Sequence, residues 1–158
     1  MENQNLKELI KKGFAAMKAG SKVAAEATDE IQNDVKNEEL KNMLQQGNEQ
    51  SKVWAQRIDR SLEEAGGGAE QENAILKAHY QVSKEIRRLA ADDDSRDLGI
   101  IASGQMALHY WIASFGTQAS YAAATGLDKA QQEMQACLDE AKQADEKFTQ
   151  IAKSILAA

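Results

Sequence analysis

His79, His109, Cys137 and the run Asp92-Asp93-Asp94 are the residues whose types could ligate a metal, move a proton or act as a nucleophile. An imidazole serves as base or ligand depending on what holds its other nitrogen. His109 stands beside an apolar stripe, four residues after Gln105, and as a lone histidine reads as a hydrogen-bonded structural residue. His79 falls on the stripe of another amphipathic segment and reads the same way. Cys137 sits between Met134 and Ala141 on a third stripe, which makes it a core side chain. As the only cysteine it excludes a disulfide framework and a thiolate metal site. The three aspartates lack the spacing of a calcium loop and fit better as caps and solvated charge at a helix start. No serine, cysteine or lysine pairs by spacing with a histidine and an acid, so covalent catalysis has no support. Gly66-Gly67-Gly68 lacks the strand, helix and lysine of a phosphate loop.

These residues must be carried by helices. Leu98, Ile101, Gln105, Leu108, Ile112, Phe115, Ala119 and Ala122 step by three and four, which places them on one face of a long helix. Leu6, Ile10, Phe14, Met17, Ser21, Ala24, Thr28, Ile31 and Val35 form the first such stripe, with Gly13 and Gly20 inside it, each costing about 1 kcal/mol relative to Ala unless packing compensates. Lys36-Asn37-Glu38 breaks the pattern. Leu40, Leu44, Gly47, Ser51, Trp54, Ile58 and Leu62 then make a second helix, antiparallel to the first because the connection is short. The triple glycine ends it. Ile75, Leu76, His79, Val82, Ile86 and Leu89 predict a connecting helix, capped off at Asp92-Asp93-Asp94-Ser95. After the long helix, Thr125-Gly126-Leu127-Asp128 predicts a C-cap glycine followed by an N-cap aspartate. Ala130, Met134, Cys137, Ala141, Ala144, Phe148, Ile151 and Ile155 then complete the last helix. The result is two hairpins joined by a helical crossover, one way of closing a four-helix bundle.

Composition agrees. The 158 residues fit one domain, residues 1–158, and the absence of proline together with few aromatic residues favours an all-α chain. A net charge of −6 with both signs interspersed argues against nucleic-acid binding. The polar opening MENQNLKELIKK resembles no signal peptide, and no apolar run is long enough to span a membrane, so a cytoplasmic location is expected.

Several blocks resemble one family. His109-Tyr110, Ile112-Ala113 and Phe115-Gly116-Thr117 look like the HYEIAAYGT block of the YciE/YciF-type ferritin-like stress proteins of bacteria. Lys142 with Asp145-Glu146-Lys147 is similar to that family's EEKATDEKL, and Glu39-Leu40-Lys41 and Arg57-Ile58 also fit. The resemblance covers nearly the whole chain and implies a ferritin-like bundle with an extra crossover helix, and a homodimer.

It also directs attention to the bundle interior. Ferritin-like proteins with iron chemistry direct about four to six carboxylate and imidazole ligands inward. Two divalent cations in a low-dielectric core can replace lost water only with anionic oxygens and imidazole nitrogens. Set against the family pattern, this chain has Ser21, Gln50, Trp54, Leu108, Trp111 and Ala141 where ligands would stand. Bulk and hydroxyl groups are thus expected to replace metal, with the two tryptophans filling the gap and Ser21, Ser51, Gln50 or Gln105 accepting the indole N–H groups. The primary reading is a non-enzymatic stress-response or interaction protein without cofactor and with an unidentified protein partner. The competing reading is a di-iron or di-manganese oxidase or peroxide-consuming protein with Glu49, His109 and Asp145 as ligands, joined by Glu26 or Glu30. A third possibility is an apolar ligand held between the small residues.

Overall fold

The computed structural model describes residues 3–158, so the polar start read at Met1 and Glu2 lies outside the described residues. Every predicted stripe becomes a helix: α1 (Asn3–Asp34), α2 (Glu38–Glu64), α3 (Ala74–Leu89), α4 (Asp93–Thr125) and α5 (Asp128–Ala157). Helix α1 packs on α2 and α4 on α5. Helices α2 and α5 also meet, as do α1 and α4, which closes a ring of four, while α3 lies over α1 and α4. This is the ferritin-like bundle with a crossover helix.

The helix ends explain the connectivity. Asn37 Oδ1 accepts the N–H of Leu40 at 2.9 Å, and Asp92 Oδ1 accepts that of Ser95 at 2.7 Å, each satisfying a donor that the first turn leaves open. Gly126 closes α4 in the left-handed region at φ 73°. At the start of α5 the sequence expectation needs correction: Leu127, not Asp128, occupies the cap position, and no side chain of its own caps the helix. Glu64 at the end of α2 does so instead, accepting from the backbone N–H groups of Lys129 at 3.3 Å and Ala130 at 2.5 Å. A carboxylate at the positive end of a helix is favourable in itself. Here it also ties the two hairpins together.

The opposite corner is tied in the same way. Asp97, 1% exposed, reaches from the first turns of α4 to the α1–α2 turn and accepts from the backbone N–H groups of Lys36 at 3.1 Å and Asn37 at 2.6 Å. Helix α3 is more than a connection. Its Arg87 is buried and donates to Asp34 at 2.9 Å, Glu30 at 3.1 Å and Ser83 Oγ at 3.1 Å. Its cap, Asn73, reaches the Ala16 carbonyl at 3.0 Å and the Tyr110 hydroxyl at 2.7 Å. That approach needs Gly20, where a Cβ would lie 2.6 Å from Asn73 Nδ2 and 2.9 Å from Leu76 Cδ1. Packing therefore does compensate that glycine.

Helix α4 has neighbours on three sides, so its buried surface is wider than the single stripe read from the sequence. Asp97, Ile100, Ser103, Ala107, Trp111 and Gln118 are buried alongside Ile101, Leu108, Phe115, Ala119 and Ala122. A helix covered by α1, α3 and α5 together loses the sharp apolar-to-polar contrast of a surface helix.

Candidate functional site

At mid-height, all five helices contribute to the wall of a partly open cavity of about 140 Å³. Its wall includes Ala24 and Thr28 of α1, Gly47, Gln50, Ser51 and Trp54 of α2, and Tyr80 and Ser83 of α3. Ser103, Gly104, Ala107, Leu108 and Trp111 of α4 and Ala144 and Phe148 of α5 complete it. The small residues of the stripes create the space. At Gly104 even a methyl group would approach Phe148 to 2.9 Å, so α4 and α5 meet closely at the edge of the cavity.

The tryptophans are buried as expected, but they do not close the gap. Trp54 meets Phe115 edge-on with ring centres 5.2 Å apart, and Trp111 stacks on Phe115 at 5.3 Å. Pairing on Phe115 draws both rings together and leaves the space beside Ala24, Gly47, Ala107 and Ala144 unfilled.

The acceptor of the Trp54 indole N–H is also not one of the four residues expected. It is Glu140 Oε2, at 2.7 Å, which accepts as well from Gln50 Nε2 at 2.9 Å and Arg57 Nη1 at 2.7 Å. Arg57 in turn meets Glu133 at 3.3 Å. Gln50, Trp54 and Arg57 stand four and three residues apart, so one face of α2 presents three donors to one carboxylate of α5. That spacing was the available signal for an acidic partner. Ser21 lies outside the cavity wall and donates to the Met17 carbonyl at 3.1 Å, and Gln105 donates to Thr149 Oγ1 at 2.9 Å.

The alternative ligands stand apart from the cavity. Glu49 is exposed and pairs with Lys52 at 2.6 Å, Glu26 is exposed, and Glu30 holds Lys84 and Arg87. His109 and Asp145 do come together, Nε2 to Oδ2 at 3.2 Å, and Asp145 Oδ1 is buried without a partner. The His109 side chain is nevertheless 66% exposed. Among the described residues, no three His, Cys, Asp or Glu side chains converge on a point that could hold a metal ion. Two such donors are too few for a two-metal centre, and Ala141, one turn before Asp145, is wholly buried. The residues present do not fit that group.

His79 is half-buried, with its Nε2 buried and without a partner. Burial, opposed by the backbone at Ser103, holds its imidazole below the ordinary value and so favours the neutral form. Cys137 is a core residue as read, fully buried, with Arg57 Nη1 at 3.8 Å. Burial pushes its thiol from 9.0 up to about 11, against the opposing pull of Arg57. Native protein at pH 8 is therefore expected to resist iodoacetamide, whereas urea-unfolded protein reacts; rapid native labelling would contradict the burial. The unfolded thiol ionises near 9 and the folded one near 11, so stability falls as pH rises through that window. Cys137→Ala removes this component of the alkaline loss.

The family model described as a domain of unknown function, DUF892, matches residues 5–158. No curated protein matches the chain. Among solved structures, the Escherichia coli stress protein YciF is similar over 96% of this chain and 97% of its own, at 23% identity and a TM-score of 0.91. YcfI of Rhodopseudomonas palustris is similar over 94% of this chain and 96% of its own, at 21% identity and a TM-score of 0.87. The YciE/YciF-type resemblance of the His109–Thr117 block and the ferritin-like bundle agree with these matches.

Proposed function

The chain belongs to the DUF892 family, and from that premise we propose that it is a non-enzymatic, ferritin-like protein of the bacterial stress-response class, without a working di-metal centre. One observation carries the reading. Where five helices surround a common interior, the wall is made of small, aliphatic and aromatic side chains with a few neutral polar ones, Thr28, Asn48, Gln50 and three serines among them, and no carboxylate or imidazole. Two divalent cations there would lack the anionic oxygens that must replace their hydration. The nearby acids have other partners: Glu140 satisfies three donors of α2, and Glu30 and Asp34 neutralise Arg87.

The stress-response class is suggested by the E. coli structure of the same fold, which is described as a stress protein. A cytoplasmic homodimer is the accompanying reading. The net charge of −6 supports independence from nucleic acid, and no helix of the described residues is long and apolar enough to cross a membrane. Metal analysis of protein purified without chelator, after growth in excess iron and manganese, tests the proposal. Substoichiometric metal is expected; about two ions of iron or manganese per chain would replace the reading with a di-metal oxidase or peroxide-consuming protein.

A further inference from the structure

The wall of the central cavity is chemically uneven. Most of it is hydrocarbon, and several of its polar groups are already engaged. Thr28 Oγ1 donates to the Ala24 carbonyl at 2.9 Å, Ser83 Oγ accepts from Arg87 at 3.1 Å, and Gln50 donates to Glu140. Ser103 is different. It is 3% exposed, it lines the cavity, and its Oγ has no hydrogen-bond partner. A buried hydroxyl left unpaired carries a desolvation cost that an incoming donor or acceptor would relieve.

The space suits a specific size of occupant. An engineered apolar cavity of about 150 Å³ in another protein stays dry and takes up benzene, and water needs two to four polar partners to settle in such a site. The volume here is close to that, about 140 Å³. The wall is open to solvent beside α2: Gly47 belongs to it yet is exposed, and a Cβ added there would meet nothing within 4 Å. Asn48 and Ser51 flank it as half-buried polar residues, giving a wet rim and an apolar interior.

We propose that this cavity binds a small molecule with a single aromatic ring, or an apolar body of similar size, and that Ser103 hydrogen-bonds its one polar group. The proposal rests on the metal-free reading above but fails separately from it.

The chain has two tryptophans, and both line the cavity, so tryptophan-selective fluorescence reports occupancy directly. Toluene and p-cresol present the same ring without and with a hydroxyl. Saturable changes are expected with both, p-cresol binding roughly three- to tenfold more tightly, as one hydrogen bond to a buried hydroxyl provides. Ser103→Ala should erase that preference and leave toluene binding intact. Ala107→Phe, which fills the space from α4, should abolish both; if it does not fold, Ala144→Leu should weaken both from the α5 side. Absence of a saturable toluene response in folded wild-type protein, or wild-type binding by a folded filling variant, overturns the cavity as the site. Equal affinity for the two probes overturns the role of Ser103. Metal analysis of the same sample separates the two readings: failure to bind toluene in metal-free protein sinks this proposal alone, whereas a loaded two-metal centre sinks the functional reading.

Discussion

Replacing Asp97 with alanine is expected to destabilise the fold by about 3 kcal/mol, measured as a lower urea midpoint with an unchanged denaturant slope. The carboxylate is 1% exposed and its two oxygens accept from two consecutive backbone N–H groups at the α1–α2 turn, so alanine removes both acceptors from a part-buried corner. Hydrogen bonds to a charged group are worth about twice neutral ones. Asp97→Asn should cost less than alanine but more than nothing, because one oxygen can still accept while the new NH2 group faces the other N–H. Glu64→Ala at the opposite corner supplies the comparison. Its carboxylate makes the same kind of cap on α5 but is half-buried, so water replaces it more readily, and about 1 kcal/mol is expected. A loss below about 1 kcal/mol for Asp97→Ala would mean that the turn finds other partners and that the corner does not set the pairing of the hairpins.

Asp97 also shows where periodicity stops being informative. All five helices were legible because each carries apolar residues at intervals of three and four, and the breaks at Lys36-Asn37, Gly66–Gly68 and Gly126 have backbone reasons visible in the residue types. The short connections also made the pairing of α1 with α2 and of α4 with α5 legible, but not how the two hairpins meet. Asp97 reaches a turn and Glu64 a helix start 60 and 66 residues away in sequence, and an acidic residue next to an apolar stripe looks the same whether it faces water or a distant backbone. The cap of α5 was misplaced for that reason: Asp128 has the right type locally, but a carboxylate from α2 satisfies the donors instead.

The interior was legible in kind but not in detail. The small and aromatic residues at mid-helix do gather in one place, as their spacing requires, and Gln50, Trp54, Leu108 and Trp111 share the cavity wall. Volume, however, is set by side-chain direction, and aromatic pairing on Phe115 turned expected filling into remaining space. Ser21 and Ala141 lie outside the wall despite the expectation at this level, since Ala24, Thr28 and Ile31 of α1 and Ala144 and Phe148 of α5 line it instead. His109 was placed beside the stripe and lies on the outer side of it, paired with Asp145 at the surface.

Glu140→Ala is expected to have the second large effect, about 2 to 3 kcal/mol, with a change in the emission of Trp54. One oxygen of this carboxylate accepts from an indole, an amide and a guanidinium at 2.7 to 2.9 Å, and it joins α2 to α5 along the seam beside the cavity. Alanine takes this acceptor from all three donors. Arg57 retains Glu133 at 3.3 Å, but the buried indole N–H has no second acid within the network. Glu140→Gln separates charge from shape, because its amide oxygen can take the place of Oε2; a loss of about 1 kcal/mol, with Trp54 emission near that of the parent, is expected. Trp54→Phe removes the indole donor while keeping a ring against Phe115. If the contact at 2.7 Å carries the effect, Glu140→Ala should cost less in the Trp54→Phe background, with a coupling of about 1 kcal/mol in the double-mutant cycle. Strict additivity would assign the loss to Arg57 instead, and the seam would then be held by its ion pair rather than by the indole.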